Sequence, residues 1–273
     1  IMKRIIFLFL LLAINNTIVK SQSIYYSTSI DNEIVKSDIN GSSQTVEYIG
    51  TGEIQEIFVD NVNNKIYWNE FNPNSPDFST FLRSDTSFTN TEVVFNVSTN
   101  KMKHIHLMKD TNLVYWYDEA TESIYNYYNG SENLILSSPS ICGVYGFCID
   151  ENNGYIYRSY YQCGANQGQR LVRYNLDGSG ATNMSNPLDA MSSLFFDNIN
   201  QRIYYMNVTG NNLYYYDITS DTHQLIYTAP VGNPTTLNAY NLNSSNPTII
   251  WTSQSGAIAK VNFNGTGYQV FVL

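Results

Sequence analysis

Cysteine is scarce in this 273-residue sequence: there are three, an odd number. Three thiols cannot supply the framework that stabilises small disulfide-rich domains, so the fold must rest on a packed core. Basic side chains are also few, with 14 Lys and Arg against 23 Asp and Glu. The net charge is −9 and no basic run interrupts it, which argues against nucleic acid or anionic membrane as partner. There are three histidines, and no Gly-x-Ser-x-Gly elbow, phosphate loop or zincin motif occurs. The sequence thus carries no recognisable catalytic constellation, and the expectation is a non-enzyme without a cofactor.

Long apolar runs are missing too, with one exception at the start. Lys3 and Arg4 precede an uninterrupted apolar stretch, IIFLFLLLAI, over residues 5–14. Val19 and Ser21 then stand at the −3 and −1 positions of a cut after Ser21. This order reads as a signal peptide over residues 1–21. A membrane anchor needs roughly 20 apolar residues, twice what this run offers. Residues 22–273 are therefore expected to form one secreted domain with no membrane insertion. Cleavage removes Lys3, Arg4 and Lys20, leaving 11 bases against 23 acids and a charge of −12. Ile1 ahead of Met2 is a hint that the chain is a fragment.

What is abundant is tyrosine, 23 residues, a side chain suited to the half-buried face of a sheet. Asn-x-Ser/Thr sequons stand at Asn40, Asn96, Asn129, Asn183, Asn207, Asn243 and Asn264. With a signal peptide, several are expected to carry glycans on exposed turns.

Short apolar-aromatic pairs recur: Tyr25-Tyr26, Tyr67-Trp68, Tyr115-Trp116, Tyr157-Arg158, Tyr204-Tyr205 and Ile250-Trp251. Their first residues lie 42, 48, 42, 47 and 46 apart. A period of this length built from strand-like segments is a propeller signature. Before the pair comes an alternating segment ending in Asp: IFVD at 57–60, FCID at 147–150 and LFFD at 194–197. After it come a third strand and a polar turn, as in LVRYNLDGS from Leu171 and IAKVNFNGT from Ile258, where Asp-Gly or Asn-Gly supplies the positive φ of a hairpin. A fourth apolar segment closes each unit. The prediction is an all-β, six-bladed β-propeller with four antiparallel strands, A to D, per blade.

The order of these segments resembles the low-density-lipoprotein-receptor class B repeat, the YWTD propeller. The copies GFCIDENNGYIYRS…LVRYNLDGS and EIFVDNVNNKIYWNE carry the likeness, and YWNE at 67–70 and YWYD at 115–118 stand nearest the tetrapeptide. In that family the segment after the last blade supplies the innermost strand of the first. Here blade 1 has only strands B, C and D, and the chain stops at Leu273 with strand D of blade 6. The expectation is therefore a further C-terminal segment forming that inner strand.

The aromatic pairs read as core between blades. His104 and His106 flank one residue on a predicted strand A and should share a face, with His106 in the packing slot of Phe58 and Cys148. No third ligand is in view, so no metal is expected. Asp60, Asp150 and Asp197 recur in register, which favours a turn role over an axial metal-dependent hydrolase. Cys148 reads as a buried thiol. Cys142 and Cys163, on connections of blade 4 that emerge on one face, are expected to form a disulfide.

Function in a repeat protein tends to sit where the repeat is broken. Two B-to-C connections are long, residues 69–80 and 159–169. They bring Glu70, Phe71, Asp77, Phe78, Tyr160 and Tyr161 to the face that also carries the D-to-A loops, and blade 3 adds Tyr117 and Asp118. These eight residues are the candidate contacts for an extracellular protein or a glycan. Asn40, Asn129, Asn243 and Asn264 fall on the opposite face, whereas Asn96 and Asn207 fall on the loop face and Asn183 in or near a strand. The reading is a secreted, glycosylated recognition module using the loop face of blades 2 to 4. The alternatives are a lectin binding sugar between blades and, less favoured, a metal-dependent hydrolase.

Overall fold

The computed structural model describes residues 23–271 apart from 29–30, 39–42, 61–62, 73, 75–78, 98–101, 109–112, 138–140, 163–167, 185–189, 208–210, 230–233, 241–246 and 254–257. The signal segment, Asn40, Asn243, Asp77, Phe78, Cys163 and the side chain of Cys142 lie outside the described residues, as does the disulfide expected of the two cysteines.

Every described element is a strand, and the strands fall into six antiparallel meanders. Blade 1 holds β1 (Ser23–Thr28), β2 (Glu33–Asp38) and β3 (Thr45–Ile49). Blade 2 holds β4 (Glu53–Asp60), β5 (Lys65–Phe71), β6 (Ser79–Asp85) and β7 (Glu92–Val97). Blade 3 holds β8 (Met102–Met108), β9 (Leu113–Asp118), β10 (Ser123–Tyr128) and β11 (Ser131–Leu136). Blade 4 holds β12 (Ile141–Asp150), β13 (Tyr155–Gln162), β14 (Gly168–Asn175) and the short β15 (Thr182–Asn183). Blade 5 holds β16 (Met191–Asp197), β17 (Arg202–Asn207), β18 (Asn212–Asp217) and β19 (Thr222–Thr228). Blade 6 holds β20 (Pro234–Tyr240), β21 (Thr248–Ser253), β22 (Ile258–Asn262) and β23 (Gln269–Phe271).

Core packing turns these sheets into a ring. A blade buries both faces, so strand B is apolar on alternate positions of each side, and its aromatic pair faces two neighbours at once. Six hydrophobic clusters result, one per junction. Trp68 packs with Ile34 between blades 1 and 2, and Tyr67 with Trp116 between blades 2 and 3. Tyr115 and Ile156 join blades 3 and 4, Tyr157 and Tyr205 join blades 4 and 5, and Tyr204 and Trp251 join blades 5 and 6. Tyr26, Val35 and Ile258 close blade 6 onto blade 1. The chain is an all-β, six-bladed β-propeller. Blade 1 has three strands among the described residues.

Two recurring turns set the register. At the end of strand A, Asp60 accepts the backbone N–H and the side-chain amide of Asn63 at 3.1 and 2.7 Å. Asp150 takes Asn153 at the same 3.1 and 2.7 Å, and Asp197 takes Asn200 at 3.2 and 2.7 Å. All three carboxylates are buried. They close the four-residue A-to-B turn, whose last residue is left-handed: Asn64 (φ 51°), Gly154 (72°) and Gln201 (54°).

The second turn explains the Asp-Gly and Asn-Gly of blades 4 and 6. The Asn175 N–H donates to Ser179 O, and the Asn262 N–H to Thr266 O, both at 2.9 Å. Gly178 and Gly265 have φ near +80°, open to glycine at no steric cost. Position matters as much: a Cβ on Gly178 would lie 2.1 Å from Ile135 O, and one on Gly265 2.7 Å from Ile226 O. Each glycine thus lets its turn press against the outer strand of the preceding blade. The residues beside them, Leu176 and Phe263, pack into those same junctions.

Candidate functional site

Strands B and C run further toward the loop face in blades 2 and 4 than the repeat alone implies. Residues Asn69 to Phe71 complete β5, and Ser159 to Gln162 complete β13, so these residues belong to ladders and not to loops. That placement corrects half of the expected contact set. Glu70 is buried, and its carboxylate joins blade 1 to blade 2. Oε1 accepts Tyr48 Oη at 2.8 Å and Trp68 Nε1 at 3.1 Å, while Oε2 accepts the N–H and Oγ1 of Thr51 at 3.1 and 2.9 Å. Its burial and the Glu70 carboxylate push the Tyr48 hydroxyl far above the usual phenol range. Phe71 is buried beside Gly52, whose missing Cβ leaves room for Phe71 O.

Tyr117 and Asp118 are buried as well. Asp118 closes the B-to-C turn of blade 3, accepting the Ala120 N–H and Thr121 Oγ1, both at 2.9 Å. Burial pushes the Tyr117 hydroxyl up to about 12, with Glu122 adding to the effect. These four residues are interior supports, because each one's polar or aromatic surface is already used by a neighbouring blade or turn. Tyr160 and Tyr161 differ. They stand near the end of β13, half-buried on opposite faces of blade 4, and both retain surface at the loop end.

The first strands of blades 2 to 6 share a feature that the repeat pattern does not display. Each is interrupted by a register shift toward the loop face, between Ile54 and Ile57 in β4 and between Lys103 and His106 in β8. His104, at φ 51°, is the bulged residue of β8. This break in alternation overturns the expected shared face of the two histidines. The His104 ring lies 6.2 Å from Tyr117, whereas His106 Nε2 meets Glu151 Oε1 at 3.0 Å in the next blade. His106 pairs with Tyr115 as Phe58 pairs with Tyr67 and Cys148 with Tyr157, so it holds their register position, half-buried in a contact across blades 3 and 4. Cys148 itself is a buried free thiol whose pKa burial pushes up.

The bulge of β8 receives Glu56 from β4. Its carboxylate accepts the backbone N–H of His104 and that of Ile105, the latter at 2.7 Å. Asn69 completes this joint, accepting the Glu56 N–H at 3.0 Å and donating to Met102 O at 3.2 Å. Burial pushes Glu56 up to about 7 against the pull of those two N–H groups and Lys103. Burial, then Lys103, pulls His104 down to about 4. The polar cluster at the inner end of blades 2 and 3 is thus a structural bolt.

Among the sequons, Asn96, Asn129, Asn183 and Asn264 are exposed. Asn129 and Gly130 form the two-residue turn between β10 and β11, with φ of 51° and 84°. Asn207 is buried, and its Oδ1 accepts the Asn212 N–H at 2.7 Å. A glycan on Asn207 Nδ2 is incompatible with that placement, because a side chain so buried has no room for a sugar.

Solved structures share the architecture. A chain of a nidogen/laminin complex superposes with a TM-score of 0.74 over 91% of this chain and 92% of that one. The fold is common to both. Sequence identity is 11%, so the likeness is one of fold. No family model matches the sequence, and no curated protein is similar to it in sequence.

The residue that pattern reading passed over is Arg158. It stands in β13 at the second position of the aromatic pair, where blades 2, 3 and 6 place Trp68, Trp116 and Trp251. The signal was present in the IYRS copy, but its weight depends on burial, which the sequence does not display.

Proposed function

We propose that this chain is a secreted, glycosylated recognition propeller that binds a protein partner through the B–C and D–A loop face of blades 2 to 4. The observation that carries the reading is the pair Tyr160 and Tyr161, aromatic side chains that keep surface at the loop end of blade 4 while their register counterparts in blade 2, Glu70 and Phe71, are buried. Half-exposed tyrosines on a rigid ladder are efficient anchors, because little side-chain freedom is lost on binding. Asp77 and Phe78 on the blade 2 connection extend the same face in this reading.

Two further points support it. The nidogen/laminin structure that shares the fold is itself a protein–protein complex. The repeated aspartates, which an axial hydrolase would need as ligands, are occupied by turn amides from Asn63, Asn153 and Asn200. A binding role therefore fits the geometry better than an enzymatic one. Exposed Asn129 and Asn264, at C-to-D turns, would put glycans on the face opposite the tyrosines.

The test is capture of a binding partner from extracellular fluid with residues 22–273 as bait. A Tyr160→Ala/Tyr161→Ala variant should lose capture by about tenfold or more, at least 1.4 kcal/mol. Substitution of exposed residues at the C-to-D turns should leave it unchanged. Equal capture by both variants and the wild type would remove the loop face from consideration.

A further inference from the structure

Five of the six blades place an aromatic residue at the second position of the strand B pair: Tyr26, Trp68, Trp116, Tyr205 and Trp251. Blade 4 alone places a cation there. Arg158 is 1% exposed. One guanidinium nitrogen, Nη2, donates to Glu122 O at 2.7 Å, and the guanidinium carbon lies 5.6 Å from the Tyr160 ring centroid. Nε–H has no partner.

The ion-paired arginines among the described residues, Arg83 and Arg202, sit against carboxylates at the protein surface. Arg158 makes no such pair among the described residues. A guanidinium stays charged in a protein, and removing it from water without a counter-charge is unfavourable. Burial is accordingly the main influence on Arg158 and lowers its pKa, opposed by Tyr174, Tyr117, Tyr160 and Glu122. A tryptophan in the same slot would avoid that penalty, as three other blades demonstrate. A repeat that abandons its own aromatic for a buried, half-satisfied cation has accepted a stability cost at one place, which is the mark of a functional position.

We propose that Arg158 anchors an aspartate or glutamate carboxylate of the protein partner, entering between blades 3 and 4 from the loop face as Tyr160 moves off the guanidinium. This deepens the recognition reading and rests on it. The chemistry fits: the free Nε–H supplies a charge-assisted donor, and a carboxylate supplies the counter-charge that Arg158 lacks. Among the described residues, the Tyr160 ring is the one that stacks on the guanidinium, and it is half-buried near the end of β13. The partner would therefore displace one aromatic ring and not a strand. In a chain of net charge −9, an acidic partner would be repelled over most of the surface, so a single buried cation also confers selectivity.

The repeat supplies the test. Arg158→Trp gives blade 4 the residue its sister blades use, so it should fold and melt at or above the wild-type temperature. The probe is a blocked tripeptide, acetyl-Gly-Glu-Gly-amide, at millimolar concentration, with its Gln counterpart as control. The Glu peptide should raise the wild-type melting temperature by linkage, the Gln peptide should not, and Arg158→Trp should respond to neither. A wild type indifferent to the Glu peptide, or an Arg158→Trp variant that responds like wild type, overturns the proposal. If the Trp variant fails to secrete, Arg158→Lys keeps the charge without the planar fork. It should weaken the response by about tenfold, and an unweakened response overturns the proposal too. Capture separates the two levels: a partner that still binds Arg158→Trp but not Tyr160→Ala/Tyr161→Ala removes the anchor and leaves the face. A partner that binds both removes the face.

Discussion

Two tryptophans at equivalent positions should respond differently to the same substitution. Trp68 and Trp116 are both fully buried in strand B. The Trp68 Nε1–H donates to Glu70 Oε1 at 3.1 Å, whereas the Trp116 Nε1–H has no partner. Truncating either to Ala should cost about 3–5 kcal/mol by opening a cavity between blades. Replacement by Phe separates packing from polarity. In Trp116→Phe the lost ring atoms are offset by removal of a buried unpaired donor, a group that costs about 1–3 kcal/mol, so the net change should be small. Contacts with Phe95 and Tyr125, at centroid distances of 5.8 and 5.9 Å, are largely retained. In Trp68→Phe the same loss of ring atoms is joined by loss of a bond to a carboxylate, worth about 1.5–3 kcal/mol. Glu70 then keeps three of its four donors. Urea unfolding of the two Phe variants at equal slope should therefore place Trp68→Phe about 1.5–3 kcal/mol or more below Trp116→Phe. Equal midpoints would refute the assignment of Glu70 as an interior acceptor and return it to the surface.

The Glu56 joint predicts a pH effect with opposing parts. Between its ordinary 4.5 and about 7, Glu56 holds a proton in the folded chain that the unfolded chain has released, so rising pH lowers stability there. His104, held at about 4 instead of 6.5, resists protonation that the unfolded chain accepts, so rising pH raises stability between those values. Each effect should be about 1–3 kcal/mol, below the full 1.36 kcal/mol per pH unit because both groups keep partial exposure. Glu56→Gln should thus gain stability as pH rises from 4 to 6.5, and His104→Asn should lose it from 4.5 to 7. Parallel melting curves for the two variants would exclude the joint. Gly178→Ala places a Cβ against Ile135 O at positive φ and should cost about 1–3 kcal/mol, visible as a lowered melting temperature; no change would mean that the turn stands clear of blade 3. Asp150→Ala strips the acceptor from two Asn153 donors and should cost about 2–3 kcal/mol in chemical unfolding. The Asp60→Ala loss should add to it, since those two turns lie two blades apart; a shared ligand at the axis would make the pair non-additive.

The sequence by itself determined the architecture. A period of 42 to 48 residues counts the blades, alternation of Ile, Val, Tyr and Trp makes each segment a strand, and Asp-x-x-Asn and Asn-x-Asp-Gly-Ser close the turns. These are local signals, because a strand's alternation and a turn's positive φ are properties of a few consecutive residues. The aromatic pairs were legible as core for the same reason: a blade must bury both faces whichever neighbour it meets. Tertiary structure decided which polar residues face solvent. Glu70 and Asp118 look like loop acids in the sequence, and become interior acceptors only because Tyr48, Thr51 and the 119–122 turn arrive to meet them. The bulge at His104 turned a two-residue spacing into two separate contacts. Asn207 and Arg158 could not be judged without the packing around them. The environment of a strand B residue is made by a blade some 45 residues away in the chain, and no window of consecutive residues contains it.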